Sequence, residues 1–216
     1  MMQKNTKWLI YRLASAGVTL FGIGYVLIVK LQESGGGWKL FLNYLGYFTL
    51  QADIWILLIF IWLIVNRLRG RPDSAMSPFL RGGALLYIII SSLITFVMLN
   101  ERMELTFIET IVNIVSHIVV ALLYGIDCYY SVESQSYRWN YVYLWLIYPF
   151  IFFLFTAAES LVSGYYRYYF FNFEQMGTAF YLFEILLFIL IFGGGGAILV
   201  FFNRNLKQHT RALPQA

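Results

Sequence analysis

The chain has 216 residues, of which 60% are hydrophobic and 12% are charged. A soluble domain has about 45–50% apolar and about 25% charged residues, so the composition excludes an ordinary soluble enzyme and indicates an integral membrane protein. The net charge of +4 does not indicate a nucleic-acid partner, because the basic residues are spread over loops and form no single face. The single cysteine, Cys128, excludes an internal disulfide, and two histidines without a cysteine cluster give no metal-site spacing.

Six apolar stretches are long enough to cross a bilayer as helices, which takes about 20 residues. A transmembrane β-barrel would instead show alternating segments of about ten residues. The predicted fold is therefore an all-α membrane protein, a single domain of six transmembrane helices. The predicted spans are 8–29, 39–66, 80–99, 105–129, 140–163 and 177–202.

The distribution of Lys and Arg predicts the orientation, because these residues collect on the cytoplasmic side of membrane proteins. With the N-terminus inside, only four of the 15 basic residues fall on outer segments: Lys30, Lys39, Arg102 and Arg167. The other eleven are inner, and both termini are expected in the cytoplasm, with 204–216 as a short tail. The N-terminal apolar run is too long for a signal peptide, so we expect it to be the first membrane helix.

Span two carries a polar cluster of Asn43, Thr49, Gln51 and Asp53. Thr49 and Asp53 are four residues apart and share one helix face. If the span begins near residue 39, Thr49 lies about 16 Å below the outer surface at 1.5 Å per residue. That depth is near the middle of the bilayer. A hydroxyl at this depth is either bonded to its own helix or available for chemistry.

Span four carries Glu109, Asn113 and His117 at i, i+4 and i+8, so the three lie along one face. An ionisable group at mid-bilayer costs at least a few kcal/mol, so it normally faces a bundle interior or a wet cavity. His117 is predicted at the same depth as Thr49. Asp127 lies about 15 Å beyond His117 along the helix, so we expect it to pair with an arginine of the inner loop.

A hydroxyl and an imidazole at one depth suggest nucleophilic chemistry if spans two and four pack together. A threonine is a weak nucleophile unless a base takes its proton, and a neutral histidine can be that base. Two other interpretations remain open. In the first, the polar groups of span four form the proton or ion relay of a small transporter. In the second, they only hold together the helices of a non-catalytic lipid-binding scaffold.

Three further features lie toward the outer side. The segment 164–174 contains seven aromatic residues, which indicates an interfacial aromatic belt or a lid over a cavity. Glu159 and Glu184 lie near the outer ends of their spans, at a cavity mouth or at the headgroups. The glycine run 193–196 in span six lacks the residues of a phosphate loop and predicts a close helix approach or a kink.

Several short motifs, taken in order, resemble bacterial six-pass relatives of the androgen-induced and androgen-dependent membrane hydrolases. The resemblance covers about three-fifths of the chain, and it rests on the order and spacing of the motifs. The motifs are Trp38-Lys39, Phe48-Thr49-Leu50-Gln51, His117 followed by Asp127, Trp145-Leu146-Ile147-Tyr148-Pro149, and Ser163-Gly164-Tyr165-Tyr166 through Phe170.

The resemblance implies a six-helix threonine hydrolase of the bacterial inner membrane. Animal members cleave fatty acid esters of hydroxy fatty acids, so the expected substrate is a lipid ester entering from the bilayer, and no cofactor is implied. Thr49 is then the expected nucleophile and His117 the base. The animal members have their nucleophile only a few residues after the Trp-Lys pair, where this chain has Leu42 and Asn43. The expected supporting residues are Asn113, Gln51, Asp53 and Glu109, with Asn113 and Gln51 contacting the oxyanion or the histidine.

Overall fold

A computed structural model of the protein describes residues 2–33, 43–99, 106–168 and 172–205. These residues form helices and connecting turns, without a strand. Each of the six long helices contains a run long and apolar enough to cross a membrane, so the predicted class of all-α six-helix membrane bundle is confirmed. The helices are α1 Met2–Glu33, α2 Phe48–Leu68, α3 Pro78–Ile94, α4 Phe107–Ser131, α5 Tyr141–Ser163 and α6 Phe173–Asn205.

The start of α2 differs from the prediction. The sequence predicts a helix from residue 39, but residues 39–42 lie outside the described part of the chain. After a short turn of helix at 43–45, the backbone turns at Gly46 and is extended at Tyr47 (φ −82°, ψ 132°). The membrane helix then begins at Phe48, so Thr49 lies in its first turn and not eleven residues inside it. The rise of 1.5 Å per residue from residue 39, which predicts the depth of Thr49, is therefore interrupted at Gly46 and Tyr47.

Helix α3 lies at the centre of the bundle and packs against α2, α4 and α6. Its first half is buried on all sides from residue 81 to residue 88. Gly82 allows α5 to approach, because a Cβ there would lie 2.6 Å from the Trp145 ring. In the same way Gly195, in the glycine run of α6, would meet Leu86 at 3.0 Å. The run therefore serves close helix packing, as the sequence predicts, and α6 continues through it as a helix.

The outer helices keep large apolar side chains on their surfaces. Among them Leu20 and Phe21 on α1 are more than half exposed, and Val162 on α5 is 90% exposed. In water such a surface would be strongly unfavourable, whereas in a bilayer it faces hydrocarbon chains. The pattern is that of a membrane bundle whose apolar perimeter is solvated by lipid.

One end of the bundle is closed by a network of buried ion pairs, and we call it the ion-pair end. Asp127 on α4 accepts a hydrogen bond from Arg12 of α1 at 2.7 Å and another from Arg81 of α3 at 2.6 Å. Arg12 also donates twice, at 2.8 Å, to Asp73 in the turn after α2. The arginine partner expected for Asp127 is present, but both partners come from membrane helices and not from the loop between α2 and α3.

Candidate functional site

A cavity of about 580 Å³ lies at the opposite end of the bundle, which we call the cavity end. Its walls come from the second half of α1, the first turns of α2 and the first half of α4. The wall of α1 includes Gly22, Tyr25 and Val26. Helices α1 and α4 come close at its floor, where a Cβ on Gly22 would lie 2.6 Å from the Ser116 hydroxyl.

Five of the six predicted site residues line this one cavity. Thr49 and Asp53 come from α2, and Glu109, Asn113 and His117 come from α4. Both face predictions, i, i+4 on α2 and i, i+4, i+8 on α4, are thus confirmed. Helices α2 and α4 also touch below the cavity, where the rings of Phe60 and Tyr124 lie edge to face at 5.6 Å.

Gln51 is the predicted residue that the structure does not bring to the cavity. Its amide nitrogen donates to the Leu45 carbonyl at 2.8 Å, and its amide oxygen accepts from the Tyr148 hydroxyl. Both polar ends of the side chain are therefore used to hold the turn before α2 and to join α2 to α5. Gln51 stabilises the entry to the helix that carries Thr49.

His117 lies in a π-helical turn, Val115–Val119, inserted between the two α-helical halves of α4. A π-turn breaks the regular i to i−4 ladder and is frequent at functional sites. Ser92 on α3 lies at this turn, and its hydroxyl shares its one hydrogen between the His117 carbonyl and, at 2.7 Å, the Ile88 carbonyl of its own helix. A cross-helix hydrogen bond therefore fixes the backbone of the histidine. Nothing in the sequence pattern predicted this turn.

Two buried polar atoms at the cavity have no hydrogen-bond partner among the residues that the structure describes. They are Nδ1 of His117 and Oδ1 of Asp53. Most buried polar groups in proteins are paired, and an exception calls for a water, an ion or a ligand as the missing partner. Thr49 is half-buried, and its hydroxyl is not hydrogen-bonded to His117 among the described residues. The two side chains line one cavity without a hydrogen bond between them among the described residues.

The first turn of α2 also presents backbone donors. The first N–H groups of a helix have no partner within it, and this end carries the positive end of the helix dipole. The N–H of Phe48 donates to the Tyr168 hydroxyl at 3.2 Å, and that of Gln51 donates to the Tyr47 carbonyl at 3.1 Å. Thr49 therefore lies where a developing negative charge would be stabilised.

A cover of aromatic residues lies over the cavity. Tyr47 and Tyr165 join their hydroxyls at 2.9 Å, and both line the space. Tyr168 is buried, and desolvation raises the pKa of its phenol above the ordinary value, so it stays protonated at neutral pH. The described part of the loop after α5 therefore packs on the bundle, which supports the lid interpretation over a simple interfacial belt.

Arg167 holds this cover in place. Its guanidinium donates to the carbonyl and side-chain oxygens of Asn43 at 2.6 and 2.8 Å, and it pairs with Glu159 at 2.5 Å. Gly46 makes room for it, because a Cβ there would lie 2.3 Å from the guanidinium carbon. Glu159, expected at a cavity mouth or at the headgroups, in fact neutralises the arginine that ties the loop after α5 to the turn before α2.

Glu109 has a local task as well as a place in the cavity wall. Its carboxylate accepts from the Thr106 N–H at 2.8 Å, and the Thr106 hydroxyl accepts from the Glu109 N–H at 3.4 Å. This reciprocal capping box starts α4. No group of three metal-ligating side chains comes together in the part of the chain that the structure describes.

Comparisons with family models, with curated proteins and with solved structures found no match for this chain. Any function must therefore be argued from the cavity and from the residue types that line it. The resemblance to membrane threonine hydrolases stays an expectation from sequence motifs.

Proposed function

We propose that the chain is an intramembrane hydrolase of lipid esters, akin to the membrane threonine hydrolases, with Thr49 as nucleophile and His117 as general base. One observation supports this most. Thr49 and His117, selected from separate spans by their chemistry, line the same cavity. The sheltered position suits a lipid that enters from the bilayer.

The reaction would proceed in two steps. His117 takes the proton of the Thr49 hydroxyl as its oxygen attacks the ester carbonyl, and the protonated ring then gives that proton to the departing alkoxide. A water next attacks the acyl-threonine as the same ring takes its proton, and the ring returns that proton to the departing Thr49 oxygen, which releases the fatty acid and free Thr49. Without substrate such hydrogen bonds are often long and close only in the complex, which is compatible with the open arrangement here.

The oxyanion would be held by groups that surround Thr49. The N–H groups of Thr49 and Leu50 lie in the first turn of α2, and the described residues provide no partner for either. Asn113 lines the cavity from α4 and is a further donor. Removing one oxyanion donor typically costs about 10²–10³ in turnover, so Asn113→Leu should slow hydrolysis without abolishing it.

Labelling with a fluorophosphonate probe tests the proposal. Thr49→Val removes the hydroxyl at nearly constant shape and should abolish labelling, and His117→Gln should reduce its rate by about 10²–10⁴-fold. Thr156→Val is the matched control and should label like wild type, because Thr156 is buried on α5 and its described hydrogen bonds stay within that helix. Equal labelling of wild type, Thr49→Val and His117→Gln, or a mass-spectrometric adduct on another residue, would refute the assignment.

For the orientation we propose a multi-pass protein of the cell membrane with both termini in the cytoplasm. The support is the excess of Lys and Arg at the ion-pair end, where Arg67, Arg69 and Arg71 follow one another in the chain. The cavity would then open toward the outer leaflet. Fusion of a reporter that is active only in the cytoplasm to the C-terminus should give signal, and its absence would overturn the orientation.

A small proton-coupled transporter is the second candidate, favoured by Asp53, Glu109 and His117 in one cavity. The ion-pair end argues against it, because Asp127, the next acidic residue along α4, is held in buried ion pairs with Arg12 and Arg81. Proton uptake into liposomes that His117→Gln abolishes and Thr49→Val leaves intact would favour transport. A third role, as a lipid-binding scaffold, would fit lower stability in both variants without any loss of activity.

A further inference from the structure

The charges around the cavity restrict the headgroup that it can hold. Its described walls carry two carboxylates, one imidazole and several tyrosine hydroxyls, but neither Lys nor Arg. Arg167, which belongs to the cover, is committed to Glu159 and Asn43. An anionic headgroup would therefore enter a cavity whose described walls offer no cation to offset its charge, and burying an unpaired anion is costly.

Asp53 identifies the polar contact that the ligand must supply. The residue is 6% exposed, and no described residue donates a hydrogen bond to its Oδ1. The neighbouring Tyr44 hydroxyl points elsewhere, toward the Ile23 carbonyl at 3.4 Å. A buried acceptor left unpaired costs about 1–3 kcal/mol, so the site gains from a ligand that brings a donor.

The size of the cavity limits how much of a lipid it encloses. Small-molecule sites typically span about 300–1,000 Å³, and the 580 Å³ here lies within that range. Such a space accommodates a compact headgroup, an ester and the start of one acyl chain. The rest of the chain would extend into the bilayer.

From these observations we infer that the cavity binds the uncharged, hydroxylated headgroup of a neutral lipid ester, such as a monoacylglycerol, whose hydroxyl donates to Asp53. Taking an ester as the ligand rests on the proposed function. The preference for a neutral hydroxyl over a phosphate or carboxylate rests on Asp53 and on the charges of the walls alone.

The experiment measures binding in the absence of hydrolysis. The full-length protein in neutral detergent is titrated by native mass spectrometry with 1-O-hexadecylglycerol, an ether that cannot be cleaved. The comparison ligands are 1-O-hexadecylglycerol 3-phosphate and hexadecylamine, which add an anion or a cation to a similar chain. We expect the neutral ether to bind at least tenfold more tightly than either.

Variants then test the contact itself. Asp53→Leu should weaken binding of the ether at least tenfold while keeping or raising the melting temperature, because a buried carboxyl whose Oδ1 has no described partner is replaced by an apolar group. Asp53→Asn keeps an acceptor oxygen and should bind within about threefold of wild type. Asn66→Leu is the matched control, since Asn66 is a buried polar residue of α2 with an unpaired nitrogen outside the cavity, and it should bind like wild type.

Each other outcome overturns the inference. Equal or tighter binding of the phosphate shows that the walls accept an anion, and tightest binding of hexadecylamine shows that Asp53 pairs with a cation. Unchanged ether binding in Asp53→Leu removes the hydroxyl contact. Because the ether has no ester, selective binding together with absent probe labelling would sink the hydrolase and leave the headgroup preference standing.

Discussion

Asp127→Asn should be among the most damaging single substitutions in the bundle. Asp127 is fully buried and accepts from Arg12 and Arg81 at 2.7 and 2.6 Å. Neutralising it leaves two buried guanidinium groups with one remaining carboxylate, Asp73, which reaches only Arg12. Breaking one side of a buried ion pair costs about 3–5 kcal/mol, a large part of the roughly 5–15 kcal/mol that holds a typical domain folded.

The free energy of unfolding, measured by denaturant titration in mixed micelles, gives the test. Asp73→Asn is the matched comparison, because its side chain is 10% exposed and contacts one arginine, so its loss should be smaller. The double variant Arg81→Leu/Asp127→Leu removes one charge of each sign. It should be more stable than Asp127→Leu alone, since no guanidinium is left without a carboxylate.

Two results would refute this reasoning. One is an Asp127→Asn variant that unfolds within about 1 kcal/mol of wild type, the range of a single ordinary hydrogen bond. The other is a double variant whose loss equals the sum of the two single losses, because independent sites add and coupled charges do not.

Three further predictions concern the cavity end and the centre. Ser92→Ala removes the hydrogen bond to the His117 carbonyl, so it should cost about 1 kcal/mol of stability and lower fluorophosphonate labelling severalfold. Unchanged labelling would mean that the π-turn does not depend on Ser92. Arg167→Gln removes the contacts that hold the aromatic cover to Asn43 and Glu159, so it should speed proteolysis within 164–168 at unchanged melting temperature. An unchanged cleavage rate would show that Arg167 does not hold the cover in place. Gly82→Ala places a Cβ 2.6 Å from the Trp145 ring and should cost about 1–3 kcal/mol in unfolding experiments. Gly125→Ala, whose nearest neighbour is 3.9 Å away, is its control and should be nearly neutral.

The membrane spans could be predicted because lipid leaves the backbone little choice. Every N–H and carbonyl in the bilayer core must be paired within its segment, so a long apolar run becomes a helix. The start of α2 could not be predicted in this way. The chain is apolar on both sides of Gly46, so hydropathy predicts one continuous helix where the structure has a turn. Hydropathy shows which stretches of a chain can lie in the membrane, but it does not detect a turn that interrupts a helix within such a stretch.

The polar faces of α2 and α4 could also be predicted, since helical spacing alone fixes which side chains share a side. Residue spacing could not predict the third wall of the cavity, which α1 forms. Helix α1 contributes Gly22, Tyr25 and Val26, and none of them carries a signal of a site. The π-turn around His117 depends on the Ser92 hydroxyl of another helix, so no local pattern in α4 announces it.

The two aspartates at the ends of the bundle give the strongest physical argument for a ligand. Asp127 and Asp53 are both buried in membrane helices, but Asp127 has two arginine partners while Oδ1 of Asp53 has none in the described part of the chain. A paired carboxylate at a helix junction is explained by the fold that it joins. Oδ1 of Asp53 lines the same cavity as Nδ1 of His117, and the described residues give neither atom a partner, so we expect that partner among the molecules that enter the cavity. The ion-pair end therefore accounts for stability, and the cavity end is where a function must be tested.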